Sequence, residues 1–433
     1  MSTGPAALRE RTLKKLKVRL GIAGILICLS ASAQTGDNSA IARLEAAAKA
    51  HLAARNANAA LDDYQKLAML NPKSAVYEDQ IGFLLAATNR VADGIPHLQR
   101  ATELDPKLAA GWYHLGVAQC LLQKQDDCVG SLQKAVTLAP GSGDYHFRLG
   151  SAYSQTGRFA DAIPELTKAS KLQPSNQQAW AQLGFALDKQ RRYTESRDAL
   201  RQALALSPRD NATRNSYAHA LINSGDITGG LREYHQVLTQ EPNNQTYQVN
   251  LGYAYIGAGN YKAAIELLLK VTQAHPENAG AHYDLGVAYK QSDDLAHAKS
   301  EFEKTIELDP SIIEAHYLLG VTYLGASETA KGIEQLRMAV VQRPTYVEAW
   351  FELASVLKEQ GDTDGAIDAL RHSVTLDDKD AGAFNTLGLL LKRKGDEAGA
   401  KEAFARAAAL RLAENESKQN KLKQGAANLG KSQ

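Results

Sequence analysis

The sequence predicts an all-α fold, a helical solenoid of antiparallel helix pairs, on three observations. Prolines stand at 72, 106, 140, 174, 208, 242, 276, 310 and 344, one every 34 residues, with Asp378 in the tenth place. Ten positions after each marker comes a small residue: Gly82, Gly116, Gly150, Gly184, Ala218, Gly252, Gly286, Gly320, Ala354 and Gly388. No insertion breaks this phase between residues 41 and 414, so eleven units follow one another, the first lacking the Leu-Gly pair. A fixed period of this length decides the architecture before any local feature does, because each unit is one supersecondary element stacked on its neighbours. One elongated domain is therefore expected.

The chain opens with a basic segment (Arg9, Arg11, Lys14, Lys15, Lys17, Arg19), an apolar run from Leu20 to Leu29, and the small residues Ala31-Ser32-Ala33. This order is that of a secretory signal peptide spanning residues 1–33, with cleavage leaving Gln34 first. The run is short for a permanent span, which needs about 20 apolar residues; an uncleaved membrane anchor is the alternative. Cys28 follows Ile27 rather than a small residue, which speaks against lipidation. Residues 34–40 read as a short linker.

Within each unit the periodicities are helical. In the eighth, His282, Leu285, Gly286 and Tyr289 share one face of a first helix, and Ala298, Phe302 and Thr305 share one face of a second. Glycine at the intervening turn in five units (Gly157, Gly225, Gly259, Gly361, Gly395) suits a left-handed helix end. The marker prolines stop the second helix, since proline cannot donate the next hydrogen bond. Small residues at the Leu-Gly position let two helices approach closely. Trp112, Trp180 and Trp350 occupy one repeat position, which marks them as core. Residues 415–433 are polar, with four lysines against Glu416, and read as a solvated helical cap fraying into a disordered tail.

These residues, an aromatic, Leu-Gly, a tyrosine, an alanine and a closing proline, resemble the tetratricopeptide repeat family, in its exported bacterial form. The resemblance implies a right-handed superhelix whose first helices line a concave groove. It also implies that ligands touch two positions: one step after the tryptophan position and one step after the glycine. Here those positions supply Tyr113, Phe147, Tyr283, Tyr317 and Phe351 on the one hand, and Phe83, Phe185 and Tyr253 on the other. Family members that hold acidic chaperone tails use a lysine and asparagine clamp at these positions, and this chain has none.

No local signature of catalysis occurs: no His-Glu-x-x-His, no phosphate-binding glycine loop, no Gly-x-Ser-x-Gly. No His or Cys pair has the i, i+4 spacing that clamps zinc, so neither metal nor cofactor is expected. Cys120 and Cys128, one on each helix of the third unit, are candidates for a disulfide; two buried thiols are the alternative. The chain has 49 basic and 48 acidic residues, and beyond residue 33 the count is 43 against 47, which gives no reason to expect a nucleic-acid partner. The resulting expectation is an exported, non-enzymatic scaffold in the periplasm or outside the cell, binding a peptide or partner helix in its groove. A periplasmic helper of polysaccharide or envelope assembly, touching glycan through the same aromatics, is the alternative. A noncatalytic subunit of an enzyme complex ranks behind both. Contact with a membrane would come only through an uncleaved signal segment.

Overall fold

The computed structural model describes residues 37–429, and over them the chain forms twenty-two helices and no strand. The expected signal segment, residues 1–33, lies outside the described residues. The helices pair as the period requires. In the eighth repeat, Ala279–Gln291 is followed by Leu295–Leu308, and in the ninth Ile313–Gly325 by Thr329–Gln342. The protein is an all-α solenoid of tetratricopeptide type. Of the described residues, those up to Glu233 form one compact unit and those from Tyr234 a second, where the sequence suggested one domain. The division falls within the helix Ile227–Gln240, and it reflects the locality of contacts in a repeat array, where each repeat packs on its sequence neighbours.

First helices start where a short polar side chain stands just after the marker proline's turn. Ser74, Ser142, Asn176, Asp210, Asn244, Asn278 and Asp380 each accept a hydrogen bond from a backbone N–H in the first turn. Such caps are each worth about 1 kcal/mol, because the first N–H groups of a helix have no internal partner. Second helices end at the marker: Leu308 is followed by the C-cap Asp309 and then Pro310.

The turn between the two helices takes the left-handed conformation in every repeat. The five glycines adopt it, and so do Arg55, Asn89, Gln123, Arg191, Asp293 and Ser327, all at the same repeat position and with φ between 57° and 70°. The hydrogen-bond geometry of the helix pair imposes this conformation, whatever side chain is present. Left-handed backbone costs an ordinary residue roughly 1–2 kcal/mol, whereas glycine's extra chain entropy costs about 0.5–1 kcal/mol. Arg191→Gly at its exposed site is therefore expected to raise stability by about 0.5–1 kcal/mol, read as a higher urea midpoint at unchanged slope. An unchanged or lower midpoint would show that the turn carries no strain.

Glycine at the Leu-Gly position is required by packing. A Cβ on Gly116 would stand 2.7 Å from Leu132, on Gly252 2.6 Å from Leu268, and on Gly286 2.8 Å from the Phe302 ring. In each case the obstacle lies sixteen residues on, across the helix pair.

The tryptophan column differs from the simple core reading. Trp112, Trp180 and Trp350 are half-buried, and their indole N–H groups donate to the carbonyls of Pro106, Pro174 and Pro344 at 3.0, 3.0 and 2.9 Å. His146 and His282 make the same bond through Nε2, to Pro140 and Pro276, and Gln248 and Arg214 make it to Pro242 and Pro208. At seven positions of the column an N–H donor thus reaches the proline carbonyl six residues back, which accounts for tryptophan, histidine, glutamine and arginine exchanging there; His316 instead meets Gln335 and Gln342, and Glu78 and Phe384 carry no N–H donor.

Both ends of the array depart from the sequence reading. The first helix begins at Asp37, inside the stretch read as a linker, and the last helix runs without interruption from Glu397 to Leu429. Residue 412, where the next marker would fall, is Leu rather than Pro, so nothing stops the helix. Beyond it Glu414 and Lys418 pair at 2.6 Å across one turn.

Candidate functional site

The face formed by the first helices collects the aromatic positions singled out above. In the first compact unit the structure treats them unequally. Phe147 is 6% exposed and belongs to the core cluster with Leu149, Tyr153 and Leu166, which removes it from the binding candidates. Phe83 is half-buried, its ring 4.8 Å from that of His114; Tyr113 stacks on Tyr145 at 4.4 Å. Phe185 is 44% exposed, edge-on to Phe159 at 5.8 Å. Side chains also tie consecutive first helices together here. His114 Nδ1 meets Asp79 at 2.7 Å, the Ser151 hydroxyl donates to Gln182 at 2.5 Å, and His219 Nδ1 meets Asp188 at 2.8 Å. These links, 31 or 35 residues apart in sequence, were not read from the sequence; their signal was complementary polar residues at neighbouring columns. The polar chemistry of this half of the face is largely satisfied internally.

In the second unit the first helices Gln245–Gly257, Ala279–Gln291 and Ile313–Gly325 touch one another directly. Tyr253 and Phe351 are 37% and 38% exposed, while Tyr283 and Tyr317 are half-buried. The Tyr283 ring lies 6.2 Å from buried Phe302, and Tyr317 lies 5.1 Å from Tyr346. Tyr346 was missed in the sequence because it occupies the capping position before a first helix, where a short polar residue is the rule. The carboxylates of the face were missed as a set. Asp284 on Ala279–Gln291, Glu314 on Ile313–Gly325, and Glu348 and Glu352 on the next first helix, Val347–Glu359, all sit in the first half of their helices. Arg343 pairs with Glu314 at 2.7 Å and lies over the Tyr346 ring at 5.1 Å.

The electrostatics of this half follow from burial and like charge. Burial pushes the Tyr283 hydroxyl up to about 12, helped by the fields of Asp284, Glu314 and Tyr253. Tyr317 and Tyr346 are also raised, first by burial; the nearby carboxylates adding to it include Glu352 and Glu348 for Tyr317, and Glu314 and Glu348 for Tyr346. The Asp284 carboxyl rises to about 7 by burial alone, since burial disfavours the charged form.

Cys120 and Cys128 meet across the helix pair of the third repeat. Their Cα atoms stand 5.2 Å apart, inside the range a disulfide needs, and the structure joins their sulfurs. Among the described residues no group of three or more His, Cys, Asp and Glu is arranged to hold a metal ion. No described helix is long and apolar enough to cross a membrane.

A repeat solenoid that presents exposed aromatics along one helical face belongs to the class of protein-interaction scaffolds. Family comparison specifies this further. A model described as the TPR domain of cytochrome c-type biogenesis protein H matches residues 165–282, and three tetratricopeptide repeat models match 255–322, 317–383 and 143–176. Together the matches run without a gap from residue 143 to residue 383, more than half of the chain, and the chain belongs to the tetratricopeptide repeat family. No curated protein matches it. Among solved structures it is similar to MamA, at 25% identity over 38% of this chain and 97% of that one, with a TM-score of 0.37. It is also similar to a human IFIT1 dimer with m7Gppp-AAAA, at 18% identity over 78% of this chain and 90% of that one, TM-score 0.46. A tetratricopeptide repeat protein from Parabacteroides merdae is similar at 15% identity, over 57% of this chain and 98% of that one, TM-score 0.45. Likenesses at these scores say nothing about ligands.

Proposed function

We propose that the protein is an exported, non-catalytic scaffold that holds an extended segment of a partner protein against its first-helix face. The observation that carries the binding reading is the exposure of Phe185, Tyr253 and Phe351 on first helices, at 44%, 37% and 38%. Large aromatics left half in water on a rigid face serve as anchors, because their apolar area is removed from water only when a partner arrives. Export rests on the order of basic, apolar and small-residue segments before Gln34, and a Cys120–Cys128 disulfide in the mature protein fits the same oxidising compartment. The match of residues 165–282 to the TPR domain of a cytochrome c-type biogenesis protein supports a role in the biogenesis of another protein.

Two measurements test this reading. Intact-mass analysis of the protein from its native host is expected to give a chain beginning at Gln34 with two hydrogens fewer than the dithiol; a chain beginning at Met1, or one carrying lipid on Cys28, would refute export. Peptides selected from a random display library are expected to slow hydrogen exchange on first helices. Protection confined to second helices, or no selected peptide at all, would refute the binding face.

A further inference from the structure

The two halves of the first-helix face differ in charge. In the unit up to Glu233 the inward carboxylates Asp79 and Asp188 each have a histidine partner. In the unit from Tyr234, Asp284, Glu348 and Glu352 have neither a hydrogen bond nor an ion pair among the described residues; Arg343 is hydrogen-bonded to Glu314 and also lies in the field of Glu348. The lysines of these first helices, Lys290 and Lys358, stand in the last turns. At 1.5 Å per residue that is about 9 Å along the axis from Asp284 and Glu352 and about 15 Å from Glu348. The face therefore combines tyrosine rings with four carboxyl groups, Asp284, Glu314, Glu348 and Glu352, beside the one arginine Arg343.

We propose that this face recognises a basic, extended segment of a protein partner, its lysine or arginine side chains meeting Asp284, Glu348 and Glu352 while its chain crosses Tyr253, Tyr317 and Phe351. The inference rests on the scaffold reading and adds the chemistry of the partner. Spacing supports it. Packed helices stand about 10 Å apart, and three residues of extended chain span about the same distance, so about six residues carry a segment from Asp284 in the eighth repeat past Glu314 in the ninth to Glu348 and Glu352 in the tenth. The aromatics add to the attraction, since a tyrosine ring face draws a cation toward it. An ammonium or guanidinium brought to Asp284 would oppose the burial that holds its carboxyl well above the usual carboxylate range.

The test uses fluorescence anisotropy on the full mature chain with a labelled ten-residue peptide bearing lysine at every third position and glycine or serine between. Counterparts with glutamine or glutamate in place of lysine serve as controls. The lysine peptide is expected to bind at least tenfold more tightly than the glutamine peptide, with an advantage that shrinks as salt is added, and the glutamate peptide is expected not to bind. Glu348→Gln alters an exposed side chain, and Asp284→Asn removes a desolvated charge, so neither should lower the melting temperature at pH 8. Together they are expected to weaken the lysine peptide at least tenfold and to leave the glutamine peptide unchanged. Equal binding of lysine and glutamine peptides would overturn the charge inference and leave the scaffold reading standing. Binding of a neutral oligosaccharide with none of the lysine peptide would overturn the inference in favour of a glycan ligand. If no peptide binds, this inference fails, and the display selection described above decides whether the scaffold reading fails with it.

Discussion

Gly286→Leu is expected to destabilise the protein by about 2 kcal/mol, measured as a lowered urea midpoint. The glycine packs against Phe302, whose ring would lie 2.8 Å from an added Cβ, and Phe302 itself has no exposed surface into which to move. Overpacking of this kind costs about 1–3 kcal/mol, and four added carbons place this case at the upper end. Leucine's better helix propensity returns about 1 kcal/mol. Hydrogen exchange should show loss of protection beginning in the eighth repeat and its neighbours, because contacts in the array are local. Phe302→Ala alone is expected to cost about 3–5 kcal/mol. If the ring is what the leucine strikes, the double variant should cost less than the sum of the two single ones. Wild-type stability in Gly286→Leu, or strict additivity in the double variant, would show that this close approach does not hold the pair together.

The second large effect separates two residues that share one column. Tyr283→Ala is expected to lower stability by about 2 kcal/mol, roughly half the cost of truncating a fully buried aromatic, since the ring is half-buried beside Phe302. Phe351→Ala, at 38% exposure, should change stability by no more than about 0.5 kcal/mol. Its effect belongs to binding, where loss of an anchor costs about 2 kcal/mol, close to a thirtyfold weaker complex. Tyr317→Ala is expected to fall between them, because its ring leans on Tyr346. Melting temperature and peptide affinity measured on each variant will separate the roles. A melting loss in Phe351→Ala as large as that in Tyr283→Ala would return the whole column to the core.

The repeat period, the helix pairs and the small residues at their crossings were legible in the sequence because each has a local cause. Proline ends a helix wherever it stands, and glycine at a crossing is required by the one residue, sixteen further on, that the same period places opposite it. Features that depend on two or more repeats were not legible. Phe147 and Phe351 hold the same repeat position, yet one is 6% exposed and the other 38%, because side chains from neighbouring repeats decide whether a ring is covered, and those neighbours do not repeat. The spacing of Cys120 and Cys128 left a disulfide open. The antiparallel return of the chain, through the left-handed turn at Gln123, brings their Cα atoms to 5.2 Å. His146 and His282 looked like packing alone until their Nε2 atoms were seen to reach the carbonyls of Pro140 and Pro276. Likewise the acidic character of the second half of the face appears only in three dimensions. Asp284, Glu348 and Glu352 are scattered among basic residues along the chain, and it is the stacking of first helices that gathers the carboxylates on one surface while Lys290 and Lys358 stay at the far ends of those helices.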